Sequence, residues 1–169
     1  SIEDKGRFTE AIMNGIWSIC EESFWGVPAH IGSTGLPDVE YPVVELFSAE
    51  TASVLAIADY FIGEKLDQVN PLIRKRIYYE TNRRLFAPMM DPSIRDKYGW
   101  MSKTRPVNNW NPWIMSNWIL SSLLLEKNEN RRAEMIYAAM NGLDLYLNGL
   151  GGDGGCEEGH SYWFAAGGR

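Results

Sequence analysis

The stretch Asn111-Pro-Trp-Ile-Met-Ser-Asn-Trp-Ile-Leu-Ser-Ser-Leu-Leu-Leu125 decides the fold class. Asparagine followed by proline is a helix-start signal: the amide can accept from a first-turn N–H, and proline loses nothing where an N–H has no partner within the helix. Behind it, Trp113, Ile114, Met115, Trp118, Ile119, Leu120 and Leu123 to Leu125 put apolar surface on almost every side. A helix of that kind is buried nearly all round. Its polar residues Ser116, Asn117, Ser121 and Ser122 form a narrow strip, which faces a wet cavity or bonds backbone carbonyls inside the core; both readings stay open.

Working outward, other segments carry helical periodicity. Phe8, Ile12, Ile16 and Cys20 recur every fourth residue and predict a helix over 6–20. Glu45 to Ile62 places Leu46, Phe47, Val54, Leu55, Ala58, Phe61 and Ile62 on one stripe and is expected to stop at Gly63. Asn70-Pro71 starts a third helix, with Leu72, Ile73 and Ile77 inward, closing near Pro88. A last helix over 130–147 buries Met135, Ile136, Ala139, Met140 and Leu143. The intervening stretches 21–41 and 89–107 are rich in Gly and Pro and read as long loops of the kind that often carry function. With no strand alternation, the expectation is an all-α fold of antiparallel helix hairpins.

The 169 residues amount to one domain. A formal charge of −6 and a pI near 5.0 argue against a nucleic-acid binder. Polar interruptions leave no expected membrane span, and the start Ser1-Ile2-Glu3-Asp4 reads as a mature or trimmed terminus. Cys20 and Cys156 lack metal-ligand spacing and are expected to be free thiols. Seven Trp and eight Tyr beside sixteen Gly fit either a helical core built from large residues or an aromatic cleft that stacks on sugar rings.

Three clusters can carry chemistry. Asn108-Asn109 offers two amides that donate to a carboxylate or hydroxyl without bringing charge, against the plainer reading of a turn and helix cap. Glu157-Glu158-Gly159-His160-Ser161-Tyr162 follows the glycine-rich run 149–155 and supplies carboxylates, an imidazole and a phenol. Trp25 and His30 lie in the first loop, where packing onto the core is the alternative. The glycine run lacks the Gly-Lys-Ser/Thr of a phosphate-binding loop, and two histidines cannot by themselves build a zinc site.

Taken in order, Glu21-Glu-Ser-Phe-Trp-Gly-Val-Pro-Ala-His30, Ala49-Glu50-Thr51, Asn108-Asn-Trp-Asn-Pro-Trp113 and Asp153-Gly-Gly-Cys-Glu-Glu-Gly-His-Ser-Tyr-Trp163 resemble the heparinase II/III-like group of polysaccharide lyases. The resemblance spans residues 1–169 and implies part of an incomplete (α/α) toroid, truncated at its C-terminal end, in a periplasmic or secreted bacterial setting. It implies β-elimination on a uronic-acid polysaccharide, with Tyr162 as acid and base, Asn109 holding the carboxylate, and His160 or His30 assisting. Related lyases often place a histidine beside the asparagine, where Trp110 or Trp113 stands here. Asn108, Trp110, Trp113, Trp25, His30, Glu158, Trp163 and Arg105 are the expected substrate contacts. No cofactor or catalytic metal is expected, a structural metal in a further C-terminal part is left open, and the partner is an acidic polysaccharide or oligosaccharide rather than nucleic acid or membrane. A tyrosine with an ordinary pKa of ~10 needs neighbouring donors to act as a base near neutrality. A negative surface repels a polyanion at long range, but screening over about 8 Å lets Lys103 and Arg105 dominate locally, while Arg74, Lys75, Arg76, Arg83 and Arg84 read as a solvated helix face. Two alternatives are a glycoside hydrolase using Glu157 or Glu158, and a sugar-binding helical domain without catalysis.

Overall fold

The computed structural model describes residues 5–32, 35–156 and 158–167; residues 1–4, 33–34, 157 and 168–169 lie outside them. All regular elements among the described residues are helical, as the periodicity predicts. They are α1 (Thr9–Glu21), α2 (Leu46–Val69), α3 (Leu72–Thr81), α4 (Trp110–Leu125), α5 (Glu129–Leu147) and the single turn α6 (His160–Tyr162). A wider π turn, Asn82–Phe86, and a last α turn, Ala87–Met90, prolong α3, and Trp163–Gly167 prolongs α6 in the same wide geometry. The loop at 89–107 is less irregular than its composition suggests, with short helical turns at Pro92–Arg95 and Gly99–Met101.

The apolar α4 lies at the centre, packed along both α2 and α5. Ile114, Met115 and Trp118 are fully buried there against Ala49, Ala52, Leu55 and Ala56 of α2 and Met135 and Ala139 of α5. Each large side chain so buried contributes about 1.5–3 kcal/mol. The helices pair as antiparallel hairpins. Arg74 of α3 reaches back to both Asp67 and Asp59 of α2, while α5 returns along α4 so that Met135 meets Ser122 and Gly142 meets Asn111.

The polar strip on α4 belongs to the core. Ser116 Oγ and Asn117 Nδ2 donate to the Trp113 carbonyl, Ser121 Oγ donates to the Asn117 carbonyl, and Ser53 Oγ of α2 donates to Asn117 Oδ1 at 2.6 Å. Four other expectations need correction. α2 runs through Gly63 to Val69, because the missing Cβ makes a notch for the Arg74 guanidinium rather than a helix end. Phe47, Val54 and Phe61 of α2 are exposed, since α2 approaches α4 closely along its small residues Ala49, Ala52, Ser53 and Ala56, with Leu55 also buried; Leu72 of α3 and Met140 of α5 are exposed as well. The N-cap of α4 is Asn109, not Asn111, whose buried side chain instead donates to the carbonyls of Trp100 and Gly142. The arginines of α3 and its extension are not a solvated face, though Lys75 is exposed as expected: Arg74 is paired with Asp59 and Asp67, and Glu80 pairs with Arg76, Arg83 and the buried Arg84.

By length and composition α2 could cross a bilayer; in this fold it is a core helix against α3 and α4. Both cysteines are free thiols. Burial, with the nearby Glu80 carboxylate adding to it, pushes the Cys20 thiol up to about 11, which keeps it protonated and unreactive at neutral pH.

Candidate functional site

Three loops far apart in sequence meet near the N-terminus of α4. The Asn108 carbonyl accepts from the Asn111 N–H at 3.1 Å and the Asn109 carbonyl from the Trp113 N–H at 3.2 Å, so the backbone of this turn starts the helix without help from the Asn109 side chain. That amide is left for another partner. Its Nδ2 donates to Oε2 of Glu158, bridging two of the quoted sequence blocks across a cavity of about 170 Å³. Asn108, Asn109, Tyr146, Cys156 and Glu158 line it together with the glycines of the 149–155 run. Asn109 is only 7% exposed, whereas Glu158 is exposed, so the amide is a fixed donor and the carboxylate a more accessible visitor.

Beside this turn lies an aromatic cluster. The Trp110 ring meets His30 edge-on at 4.6 Å, His30 stacks parallel to Phe47 at 6.2 Å, and Phe47 meets Trp113 edge-on at 6.4 Å. His30 is brought here by the short turn Pro28–His30 in the first loop and is held by Glu45, whose Oε2 lies 2.5 Å from His30 Nδ1. A second hollow of about 430 Å³, lined by Trp100, Arg105, Asn108 and Trp110, adjoins the turn on its other side. Arg105 is exposed there, with its guanidinium close over Gly99. Lys103 is tied to Asp96 at 3.1 Å.

The expected residues are therefore not all gathered. Asn108, Asn109, Trp110, Trp113, His30, Glu158 and Arg105 lie around the α4 N-terminus. Trp25 does not offer a ring face to a substrate: it is 4% exposed, its indole N–H donates to the Ile19 carbonyl at 2.8 Å, and the Arg84 guanidinium covers its ring at 4.6 Å. Its role is to pack the loop. Trp163 is half exposed but its indole N–H is used on the Gly154 carbonyl at 2.7 Å, which folds α6 back onto the glycine run. Tyr162 is 45% exposed and His160 is exposed; among the described residues neither hydrogen-bonds to Asn109 or His30. Glu157 lies outside the described residues. Among those described, no group of three His, Cys, Asp or Glu side chains is placed to hold a metal ion.

Sequence reasoning missed Glu45, Phe47 and Tyr146. Glu45 carries a local signal, since Ser48 three residues on completes a reciprocal capping pair: Glu45 Oε1 accepts from the Ser48 N–H and Ser48 Oγ accepts from the Glu45 N–H, each at 2.8 Å. No family model matches the chain, and no curated protein sequence matches it either.

Proposed function

We propose that this rim binds the carboxylate of a uronic-acid unit and that the protein cleaves a uronate polysaccharide by β-elimination, within a helical fold that forms one arc of an (α/α) toroid. One observation carries the reading: the buried Asn109 amide already holds a carboxylate, that of Glu158, at the mouth of a cavity. A neutral amide donor suits this chemistry. It binds a carboxylate and gains strength as charge moves onto that group when the neighbouring carbon loses its proton, which is how a preorganised donor lowers a barrier. In this reading Glu158 stands where the substrate carboxylate binds, and the glycine run 149–155 lets it withdraw, carrying Tyr162 of the same segment toward the bound sugar. The aromatic faces of Phe47, Trp110 and Trp113 supply stacking surface beside it.

Incubating the protein with a panel of uronate polymers tests this. β-Elimination creates a new ultraviolet absorbance from the unsaturated uronate; hydrolysis through Glu158 yields reducing ends without it, and a binding domain yields neither. Glu158→Gln separates the first two further. If Glu158 only occupies the carboxylate position, the substitution lowers KM and leaves kcat near its starting value; a dead Glu158→Gln enzyme that had released reducing ends replaces the lyase with the hydrolase.

A further inference from the structure

Glu45 is 0% exposed, an unusual place for a carboxylate unless each oxygen is committed. Oε1 is committed to the Ser48 N–H at 2.8 Å, and Oε2 to His30 Nδ1 at 2.5 Å. A Cβ at Gly26 would lie 2.6 Å from Oε1, so the first loop is built to let its backbone close over this carboxylate. The His30 ring is caught between Phe47, parallel within 6°, and the edge of Trp110, which leaves it little freedom to rotate, yet its side chain stays 23% exposed. Where a carboxylate is ionised it accepts only, which puts the proton on the imidazole nitrogen that faces it.

We propose that Glu45 is a positioning residue that fixes His30 with its proton on Nδ1, presenting the Nε2 lone pair of an oriented, partly exposed imidazole as a proton acceptor beside the Asn109 turn. A carboxylate that sets the tautomer and orientation of a histidine is the usual way to ready the far nitrogen for proton transfer. On the elimination reading above, on which only the catalytic consequence rests, this makes His30 rather than the exposed His160 the histidine that assists. The step balances: Nε2 takes the C5 proton directly or from the tyrosine that receives it, the C5–H electron pair becomes the C4–C5 double bond as the C4–O bond breaks, and the imidazolium, stabilised by the Glu45 carboxylate, gives its proton to the departing oxygen.

The chain has two histidines, so nitrogen-15 imidazole spectra of the intact protein are assigned with one variant, His160→Ala. At a pH where His30 is neutral, the expected spectrum shows Nδ1 protonated and Nε2 bare. In Glu45→Gln the Ser48 N–H still claims the amide oxygen, which turns the NH2 group toward Nδ1 and drives the proton to Nε2. Ser48→Ala, which alters the cap but keeps the carboxylate, retains the wild-type tautomer. A wild-type His30 protonated on Nε2 overturns the proposal, as does a Glu45→Gln protein of unchanged circular dichroism in which Nδ1 stays protonated. Should Glu45→Gln fail to fold, the wild-type spectrum and Ser48→Ala decide the matter. With any polymer that gives the elimination chromophore, Glu45→Gln is expected to lower kcat about 100-fold at unchanged KM, the lower end of an acid–base contribution. If no polymer gives it, the elimination reading falls while the tautomer result stands.

Discussion

Asn111 donates to the Trp100 carbonyl at 2.9 Å and the Gly142 carbonyl at 3.0 Å, joining α4 to the preceding loop and to α5 through one fully buried amide. Two positions earlier the same residue type turns its amide to an exposed carboxylate instead. The two substitutions should therefore separate stability from activity. Asn111→Ala leaves two buried carbonyls without their donor and is expected to destabilise by about 3 kcal/mol, read from urea denaturation. Asn109→Ala is expected to change stability by about 1 kcal/mol or less and to slow elimination by roughly 3–4 kcal/mol in barrier, the scale of a lost oxyanion donor. Equal stability losses for the two would contradict the division of labour. Tyr162→Phe, which keeps the half-exposed ring and removes only the hydroxyl, is expected to lower kcat at least ~100-fold with KM little changed, in a protein of wild-type stability.

Within α2, Gly63 shows how an element can mislead a reading of its residues. Glycine inside a helix usually costs ~1 kcal/mol relative to alanine, so Gly63→Ala would ordinarily stabilise. Here the new Cβ would lie 2.8 Å from Arg74 Nε and 2.9 Å from Cζ, pushing the guanidinium off Asp59, which it now contacts at 2.6 and 3.0 Å. That pair is partly solvated and is worth about 1 kcal/mol at most. The gain and the loss should cancel, leaving Gly63→Ala within about 0.5 kcal/mol of wild type, whereas the same change in an Arg74→Ala background should stabilise by about 1 kcal/mol; a thermal-melt double-mutant cycle measures the difference. From sequence, a glycine that ends a helix and one that seats a partner's arginine look the same, so the residues of α2 do not by themselves place its end. Periodicity does locate α2, α4 and α5, but it favours large residues as the buried ones. The tight α2–α4 contact selects Ala49, Ala52, Ser53 and Ala56 and exposes Phe47, Val54 and Phe61. Asn109, His30 and Glu158 were legible as polar residues in breaker-rich stretches. The Glu45–His30 pair was not, because its halves lie on either side of a loop whose path no local pattern fixes.

At the scale of the whole molecule, the first loop must be held against the helices for His30 and Trp110 to meet at all. One carboxylate organises that attachment. Glu80 of α3 is buried and accepts from Arg76, Arg83 and Arg84 at 2.8–2.9 Å. Each arginine then uses another nitrogen on a carbonyl at or beyond the end of α1: Arg76 on Cys20, Arg84 on Glu22 and Arg83 on Val39. Burial alone would raise the Glu80 pKa, but the hydrogen bonds from Arg84 and Arg83 outweigh it and hold the carboxyl below its ordinary 4.5. The folded state therefore binds this proton less readily than the unfolded chain. The resulting stabilisation is complete above the ordinary carboxylate value and is lost as pH falls through the lower, folded one. Glu80→Gln removes that dependence and leaves Arg84 buried without its counter-charge, for an expected loss of about 3–5 kcal/mol at pH 7. Urea denaturation between pH 7 and 3 should show wild type losing stability below 4.5 more steeply than Glu80→Gln. At pH 7 hydrogen exchange in the variant should rise first over residues 20–32 and 35–39, where these arginines bond the backbone, and last in the α4–α5 hairpin, where α4 packs along α2 and α5. Uniform acceleration across both would mean that Glu80 supports the core as a whole rather than the loop that carries His30.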